Sequence, residues 1–189
     1  MNKKIFFPIL FLTATGMTTG CFFELLLSGS GKETLMEMVG AFLSREDSAF
    51  SLTEHTLSKI AAGIVFLVPA FLLPVIPWLM PFHLLYLFFR GFVLGFSSAM
   101  ILETLGTKGL FYISITLIPS ELLQILLFIF LLCSSLQQVL YLRHRKKGIR
   151  KAPQIFIPGP YLYTYTAGLL ILIFISFFQS VLLQAVTGP

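Results

Sequence analysis

The chain has 189 residues, of which 57% are hydrophobic and 11% are Asp, Glu, Lys or Arg, and its mean hydropathy is +0.92. Soluble domains have about 25% charged residues, so this composition excludes an ordinary soluble globular protein. The net charge of +5 does not indicate nucleic-acid binding, because six of the 13 basic residues are concentrated in Arg143–Lys151 beside an apolar segment. We therefore expect an all-α, polytopic transmembrane helix bundle that forms a single membrane domain, residues 1–189.

Five apolar segments are long enough to cross a membrane as helices of roughly 20 residues. The predicted spans are residues 5–27, 60–80, 82–104, 110–136 and 161–186. The apolar stretch from Ile60 to Ile101 must fold back on itself, because one helix of that length would be about 60 Å long. Pro77 and Pro81 remove backbone donors and disfavour helix at the preceding residues, so the sequence predicts the bend there.

Basic residues predict the orientation of these spans. Lys3 and Lys4 precede the first span and Arg143–Lys151 precedes the fifth, and basic flanks stay in the cytoplasm. Four crossings between the two basic regions satisfy this rule, whereas three or five do not. We expect a cytoplasmic N-terminus, an outer C-terminus, outer segments at residues 28–58 and 105–109, and residence in the bacterial cytoplasmic (inner) membrane.

The longer outer segment contains a predicted amphipathic helix from Lys32 to Arg45. Its apolar residues follow the i, i+3, i+4 spacing of one helix face, and they are Leu35, Met38, Val39, Phe42 and Leu43. A helix of about this length is marginal alone in water, so the apolar face must lie against something. The lipid surface, the top of the bundle and another envelope protein all remain open as that partner.

The residue sets of known membrane enzymes are missing from the sequence. Asp47 is the only aspartate, which excludes an intramembrane aspartyl pair, and there is no HExxH, GxSxG or Walker-type glycine loop. The two cysteines, Cys21 and Cys133, form no CxxC motif. We therefore predict a protein that is not an enzyme and has no catalytic residues, metal or cofactor.

Two ionisable residues lie inside predicted spans, Arg90 in the third and Glu121 in the fourth. A charge that faces lipid at mid-depth costs at least about 3 kcal/mol, so Arg90 should face the bundle or extend toward the interface. A structural ion pair and a functional polar pathway both remain open. Gly91 and Gly95 lie one turn apart and permit the close approach of another helix, either within the chain or from a second copy in a homo-oligomer.

Three short segments of the chain together resemble a known family. They are Gly91-Phe92-Val93-Leu94-Gly95-Phe96, Gly106-Thr107-Lys108-Gly109 and Ile118-Pro119. This pattern resembles the core of the stage II sporulation protein M family, with its GFxxGF span, glycine-lysine-glycine link and Leu-Pro turn into the next span. The resemblance is specific between Arg90 and Glu121 and extends from the first span to about Leu140. After the proline the family commonly has Gln-Asn, whereas this chain has Ser120-Glu121.

The resemblance implies a non-enzymatic membrane scaffold for engulfment during endospore formation. Members recruit or anchor an amidase and a lytic transglycosylase, two peptidoglycan-degrading enzymes, at the septal or mother-cell membrane. From the topology, rather than from the family, we predict the partner-binding residues to be Leu35, Val39, Phe42, Leu43, Glu46 and Asp47. The alternative is a transporter or ABC-type permease subunit that works with a separate ATPase. Membrane lipid is the other expected partner.

Overall fold

A computed structural model describes residues 3–29, 31–38, 40, 52–148 and 159–187, and all regular structure within these ranges is helical. The helices are α1 (Lys3–Leu26), α2 (residues 31–38), α3 (Leu52–Leu72), α4 (Met80–Leu105), α5 (Thr107–Tyr112), α6 (Ile118–Gly148) and α7 (Gly159–Thr187). A 3₁₀ turn (Pro77–Leu79) precedes α4, and a π-helical segment (Ile113–Leu117) precedes α6.

Four stretches of these helices are long and apolar enough to cross a membrane. They are Ile5–Leu26, Pro77–Leu105, Ile118–Leu142 and Gly159–Leu182. The apolar part of α3, Thr56–Leu72, is shorter and packs alongside α6 and α7. The predicted all-α transmembrane bundle with about five spans is therefore confirmed.

The bend after the second span begins earlier than the sequence predicted. Helix α3 ends at Leu72, and a turn leads to the 3₁₀ segment that starts at Pro77. The cause is Pro74, which lacks a backbone donor and disfavours helical geometry at the residue before it. The prediction considered Pro77 and Pro81 only, and so extended the second span to residue 80.

The helices alternate in direction, as a multi-span bundle requires. Helix α1 runs parallel to α4, because Gly16 lies against Phe88 and Gly20 against Phe92. Helix α3 runs parallel to α6 and antiparallel to α7. Helices α1, α4 and α7 end, and α3 and α6 begin, at the same end of the bundle. We call this end the Lys32 face. The basic residues predict that this face is the outer one.

Helix α6 is the central element of the bundle. About 56% of its spanning window is buried within the protein, compared with 22% for α1. Its Phe128 ring lies 4.4 Å, centroid to centroid, from Phe66 of α3, and Leu131 and Leu132 beside it are fully buried. Helix α1 instead lies at the edge and packs mainly on α4. Any group that α6 directs inward is therefore surrounded by other helices.

The link between α4 and α5 is a single tight turn at Gly106. Its φ angle is +58°, a conformation that glycine adopts without the penalty that a side chain would bring. The amide of Gly106 donates to the carbonyl oxygen of Leu102 (2.8 Å) and closes the last turn of α4. This turn returns the chain toward α6 at the Lys32 face and so helps to position Glu121.

Candidate functional site

The most polar part of the described bundle interior is an ion cluster that joins three helices. Lys59 of α3 places its Nζ 2.7 Å from Oε1 of Glu121, which lies in the first turn of α6. Arg90 of α4 places Nη1 3.5 Å from the other carboxylate oxygen, Oε2. A single carboxylate therefore faces two cations from two different helices.

Two glutamines extend this cluster. Arg90 Nη2 donates a hydrogen bond of 2.5 Å to Oε1 of Gln124, one turn along α6 from Glu121. The side chain of Gln179 on α7 lies near the Glu121 carboxylate. We call Lys59, Arg90, Glu121, Gln124 and Gln179 the polar cluster; its members come from α3, α4, α6 and α7.

Local sequence explains why Glu121 points inward. Pro119 has no backbone N–H and cannot donate to the carbonyl one turn earlier, and the preceding segment, Ile113–Leu117, forms a π-helix. A π-helical turn contains more residues than an α-helical one and so rotates all following side chains about the axis. Glu121 and Gln124, three residues apart, then share one face of α6.

The cluster is unbalanced in charge. Two cations and one carboxylate give a formal charge of +1, and the side chains of Lys59, Arg90 and Glu121 are only 25%, 20% and 10% exposed. A charge in a low-dielectric interior is stable only when it is paired and hydrogen-bonded. The structure pairs Glu121 fully and leaves one positive charge without a counter-charge among the residues of the cluster.

A second ion cluster lies at the Lys32 face. Lys32 Nζ lies 2.7 Å from Glu103 Oε2 and 3.1 Å from Glu24 Oε1, so it connects the ends of α4 and α1. Glu24 is 2% exposed. Hydrogen bonding to Glu103, followed by that to Glu24, raises the pKa of Lys32 above its ordinary value. Lys32 therefore remains charged through the neutral range and fixes the start of α2 to the bundle.

A third polar group closes the C-terminal end of α3. The last carbonyl groups of a helix lack partners within the helix and must find donors elsewhere. Tyr161 Oη donates to the Phe71 carbonyl oxygen (2.9 Å), and Ser135 Oγ donates to that of Ala70 (2.9 Å). Tyr165 lies in hydrogen-bond contact with the same Ser135 hydroxyl. Side chains of α6 and α7 thus cap α3 where Pro74 stops it.

The glycines singled out in the sequence lie at the α1–α4 contact. A methyl group at Gly91 would overlap the Thr13 carbonyl oxygen, and one at Gly95 would overlap that of Met17. Gly16 and Gly20 of α1 face the α4 backbone in the same way. Of the two partners that the sequence left open for Gly91 and Gly95, the structure shows a helix of the same chain.

The predicted partner-binding residues fall mostly outside the described part of the chain. Val39, Phe42, Leu43, Glu46 and Asp47 all lie there, as do most residues between α2 and α3. Leu35 is described and half-buried. Lys32, the first residue of the predicted amphipathic helix, is ion-paired to α1 and α4. Met38, predicted to lie on the apolar face of that helix, is 62% exposed.

Sequence reasoning identified Arg90 and Glu121 but missed the other residues that meet them. It placed Lys59 just outside the second span, whereas α3 begins at Leu52 and carries Lys59 inside its apolar segment. Gln124 and Gln179 were passed over because neutral amides interrupt an apolar run only weakly. A lysine directly before an apolar run and a glutamine within one are the signals that could have found Lys59 and Gln179.

The described residues contain no group of three or more His, Cys, Asp or Glu side chains placed to hold a metal ion. Comparison with known proteins found no match among family models, curated proteins or solved structures.

Proposed function

We propose that this chain is a non-enzymatic membrane scaffold that anchors or recruits peptidoglycan-degrading partners, an amidase and a lytic transglycosylase, at the septal membrane during engulfment. The recruiting role is what the resemblance to the stage II sporulation protein M family implies. The spatial arrangement of the segments that carry that resemblance supports the proposal.

The observation that supports it most is that the helices that carry two of those segments are joined directly. Arg90 precedes the glycine-containing segment of α4, and Glu121 follows Ile118-Pro119 at the start of α6; Arg90 Nη1 lies 3.5 Å from Glu121 Oε2. Gly91 and Gly95, next to Arg90, hold α1 against the opposite side of α4. The helices that carry the resemblance, α4 and α6, are therefore packed together with α1, although the ion pair between them uses Glu121, where the chain departs from the family pattern.

The bundle also has the features of a fixed platform. Ion pairs, backbone-to-backbone helix contact and side-chain capping join all five long helices through direct contacts. In the proposed role, this platform holds the segment between α1 and α3, which includes α2, on the Lys32 face. Under the predicted orientation that segment faces the cell wall, where peptidoglycan hydrolases act.

The test is co-purification of the tagged full-length chain, in mild detergent, with the amidase and lytic transglycosylase of the same genome. We expect the wild-type chain to recover at least one of these enzymes. The variant F42E/L43E should insert into the membrane normally and lose recruitment, because two charges on the predicted apolar face oppose burial against a partner. The matched control is E33Q/E37Q, which changes the opposite face of the same predicted helix and should retain recruitment.

Two results would contradict the proposal. One is the absence of both hydrolases from the wild-type complex at expression levels where the chain is folded. The other is a cell that lacks the chain yet completes membrane migration around the forespore normally, as followed with a membrane dye. Normal recruitment by F42E/L43E would instead reject only the predicted contact surface.

A transporter or ABC-type permease subunit is the second candidate, and the polar cluster is the observation that favours it. Charged and amide side chains from four helices meet within the apolar part of the bundle, and intramembrane ionisable residues commonly mark ion or substrate pathways. Recovery of an ATPase whose ATP hydrolysis is stimulated by the chain, without a cell-wall hydrolase, would favour this candidate over the scaffold.

A further inference from the structure

The two ends of the bundle differ in their acidic residues. The end opposite the Lys32 face, where α1, α4 and α7 begin and α3 and α6 end, is called the Trp78 end. Six of the eight acidic residues lie in described ranges, and all six are in α2, at the ends of α1 and α4, or in the first turns of α3 and α6: Glu24, Glu33, Glu37, Glu54, Glu103 and Glu121. The described part of the Trp78 end therefore has no carboxylate.

Helix α6 carries a concentration of basic residues at the Trp78 end. Its apolar stretch ends at Leu142, but the helix continues to Gly148. Four of the added residues are basic and none is acidic; we call them the basic extension, Arg143, Arg145, Lys146 and Lys147. At 1.5 Å per residue, the helix from Leu142 to Gly148 adds about 9 Å of length. The four positive charges of the basic extension thus stand at the end of the bundle where the described chain offers no counter-charge.

Exposed aromatic side chains lie at the same end. Tyr141, two residues before the basic extension, is 59% exposed, Tyr163 near the start of α7 is 76% exposed, and Trp78 in the 3₁₀ turn before α4 is 86% exposed. The hydrogen bond from Tyr161 to the Phe71 carbonyl oxygen joins the start of α7 to the end of α3 at this level. Exposed Trp and Tyr side chains on a membrane protein are typical of the lipid headgroup interface. The basic extension therefore directly follows a residue of this interfacial aromatic group.

We propose that the basic extension binds the phosphate groups of anionic phospholipids, of the phosphatidylglycerol class, in the headgroup layer around the Trp78 end. Such lipids supply the negative charge that the described residues of this end lack. Each Lys or Arg close to an anionic membrane surface contributes about fivefold in affinity. An acidic protein would offer the same charge, but the adjoining interfacial ring of Tyr141 favours lipid, because headgroup phosphates lie at the level that such rings occupy.

This inference is independent of the scaffold proposal. It concerns the Trp78 end, whereas the segment proposed to recruit a hydrolase lies between α1 and α3 on the Lys32 face. The basic residues were used above only to predict the orientation of the spans, and a preference for one class of lipid does not follow from orientation alone. Binding is therefore measured on the purified chain, in bilayers with the same lipids in both leaflets, where orientation has no influence on the result.

The single tryptophan of the sequence makes a local measurement possible. The variant W78F/Y141W moves the tryptophan to an exposed position beside the basic extension, and W78F/F22W moves it to an exposed position of α1 near the Lys32 face. Each full-length chain is reconstituted into mixtures of phosphatidylglycerol and phosphatidylcholine in which one or the other lipid has brominated acyl chains. Bromine quenches tryptophan fluorescence on contact, so the two quenching curves give the relative affinity of the two lipids at each position.

We expect phosphatidylglycerol to bind about fivefold or more tightly than phosphatidylcholine at position 141 when the ionic strength is about 0.01 M. The preference should fall toward equal binding at about 1 M, because the Debye length shortens from about 30 Å to about 3 Å. Position 22 should show no preference for phosphatidylglycerol at either ionic strength, since the acidic residues of the described chain lie toward that end. The salt series needs no further substitution, so it tests the proposal even if a charge variant fails to fold.

Charge variants in the W78F/Y141W chain assign the preference to the basic extension. Replacing all four basic residues with glutamine (R143Q/R145Q/K146Q/K147Q) should remove most of the preference. The conservative variant K146R/K147R keeps the charge and should retain it. Lys108→Gln, which removes a positive charge from an exposed position of α5 near the Lys32 face, is the control and should also leave the preference unchanged.

Three outcomes would overturn the proposal. The first is equal quenching by the two lipids at position 141 at low ionic strength; binding of polyglutamate to the same bilayers would then assign the basic extension to an acidic protein. The second is a preference that persists at high salt or in the folded glutamine variant. The third is a preference of the same size at position 22, which would not be located at the Trp78 end. None of these results depends on whether a cell-wall hydrolase co-purifies.

Discussion

Arg90 and Glu121 are brought within 3.5 Å of each other although they belong to different helices of the bundle, α4 and α6. The same carboxylate is also ion-paired with Lys59 of α3, whose Nζ lies 2.7 Å from Glu121 Oε1. Glu121 is thus the one residue on which three helices depend for charge compensation. Its removal leaves two cations in the apolar layer, whereas removal of Arg90 leaves the Lys59–Glu121 pair intact.

This asymmetry predicts unequal effects of substitution. Breaking a fully buried ion pair costs about 3–5 kcal/mol, and because these side chains keep some exposure we expect about 1–3 kcal/mol for Glu121→Met and less for Arg90→Met. The double variant should lose less stability than the sum of the two. Denaturant unfolding in detergent, analysed as a double-mutant cycle, measures this coupling. Lys108→Met, at an exposed position of α5, is the control, and strictly additive effects would rule out the interaction.

Packing of α1 on α4 should be intolerant of added volume at Gly95. Gly95→Ala places a methyl group against the Met17 carbonyl oxygen, which is backbone and cannot rotate away. We expect a loss of about 1–3 kcal/mol in the free energy of unfolding and a lower yield of monodisperse protein in gel filtration. Gly31→Ala is the matched control, because nothing lies within 4 Å of the added methyl group there. Equal stability of the two variants would mean that the helices do not approach this closely.

The cap on the C-terminal end of α3 gives a prediction with a close internal control. Tyr161→Phe removes the hydroxyl that donates to the Phe71 carbonyl oxygen and keeps the aromatic ring in place. We expect a loss of about 0.5–1.5 kcal/mol, the net contribution of one hydrogen bond. Tyr163→Phe makes the same chemical change two residues away on an exposed side chain and should be neutral. A loss of stability for Tyr163→Phe as large as that for Tyr161→Phe would contradict the capping role of Tyr161.

Lys32 gives a prediction about alkaline pH. Its pKa is raised in the folded protein by the Glu103 and Glu24 carboxylates. A raised folded-state pKa contributes stability that is complete below the unfolded-state value, about 10.4 for lysine, and is lost as the pH rises through the higher folded-state value. The thermal midpoint of the wild-type chain should therefore fall above about pH 10.5. Lys32→Gln should have a lower midpoint at neutral pH and a flatter profile in that alkaline range.

The sequence by itself determined the class of the fold. Runs of apolar residues of the right length require helices that cross a membrane, because a backbone in hydrocarbon must satisfy its own hydrogen bonds. It also identified Arg90 and Glu121, since a charge within such a run is costly enough to stand out. Gly91 and Gly95 were also identified from the sequence, because two glycines four residues apart lie on the same face of one helix.

Only the tertiary structure decided what these residues contact. Lys59 and Gln179 join Glu121 because α3 and α7 pack on α6 at that level, a fact that no local pattern encodes. Gly95 meets Met17 of α1 because the two helices run parallel at the edge of the bundle. A hydrophobicity pattern shows which residues enter the membrane. The neighbours of a side chain are set by helix rotation and crossing, which depend on packing over the whole bundle.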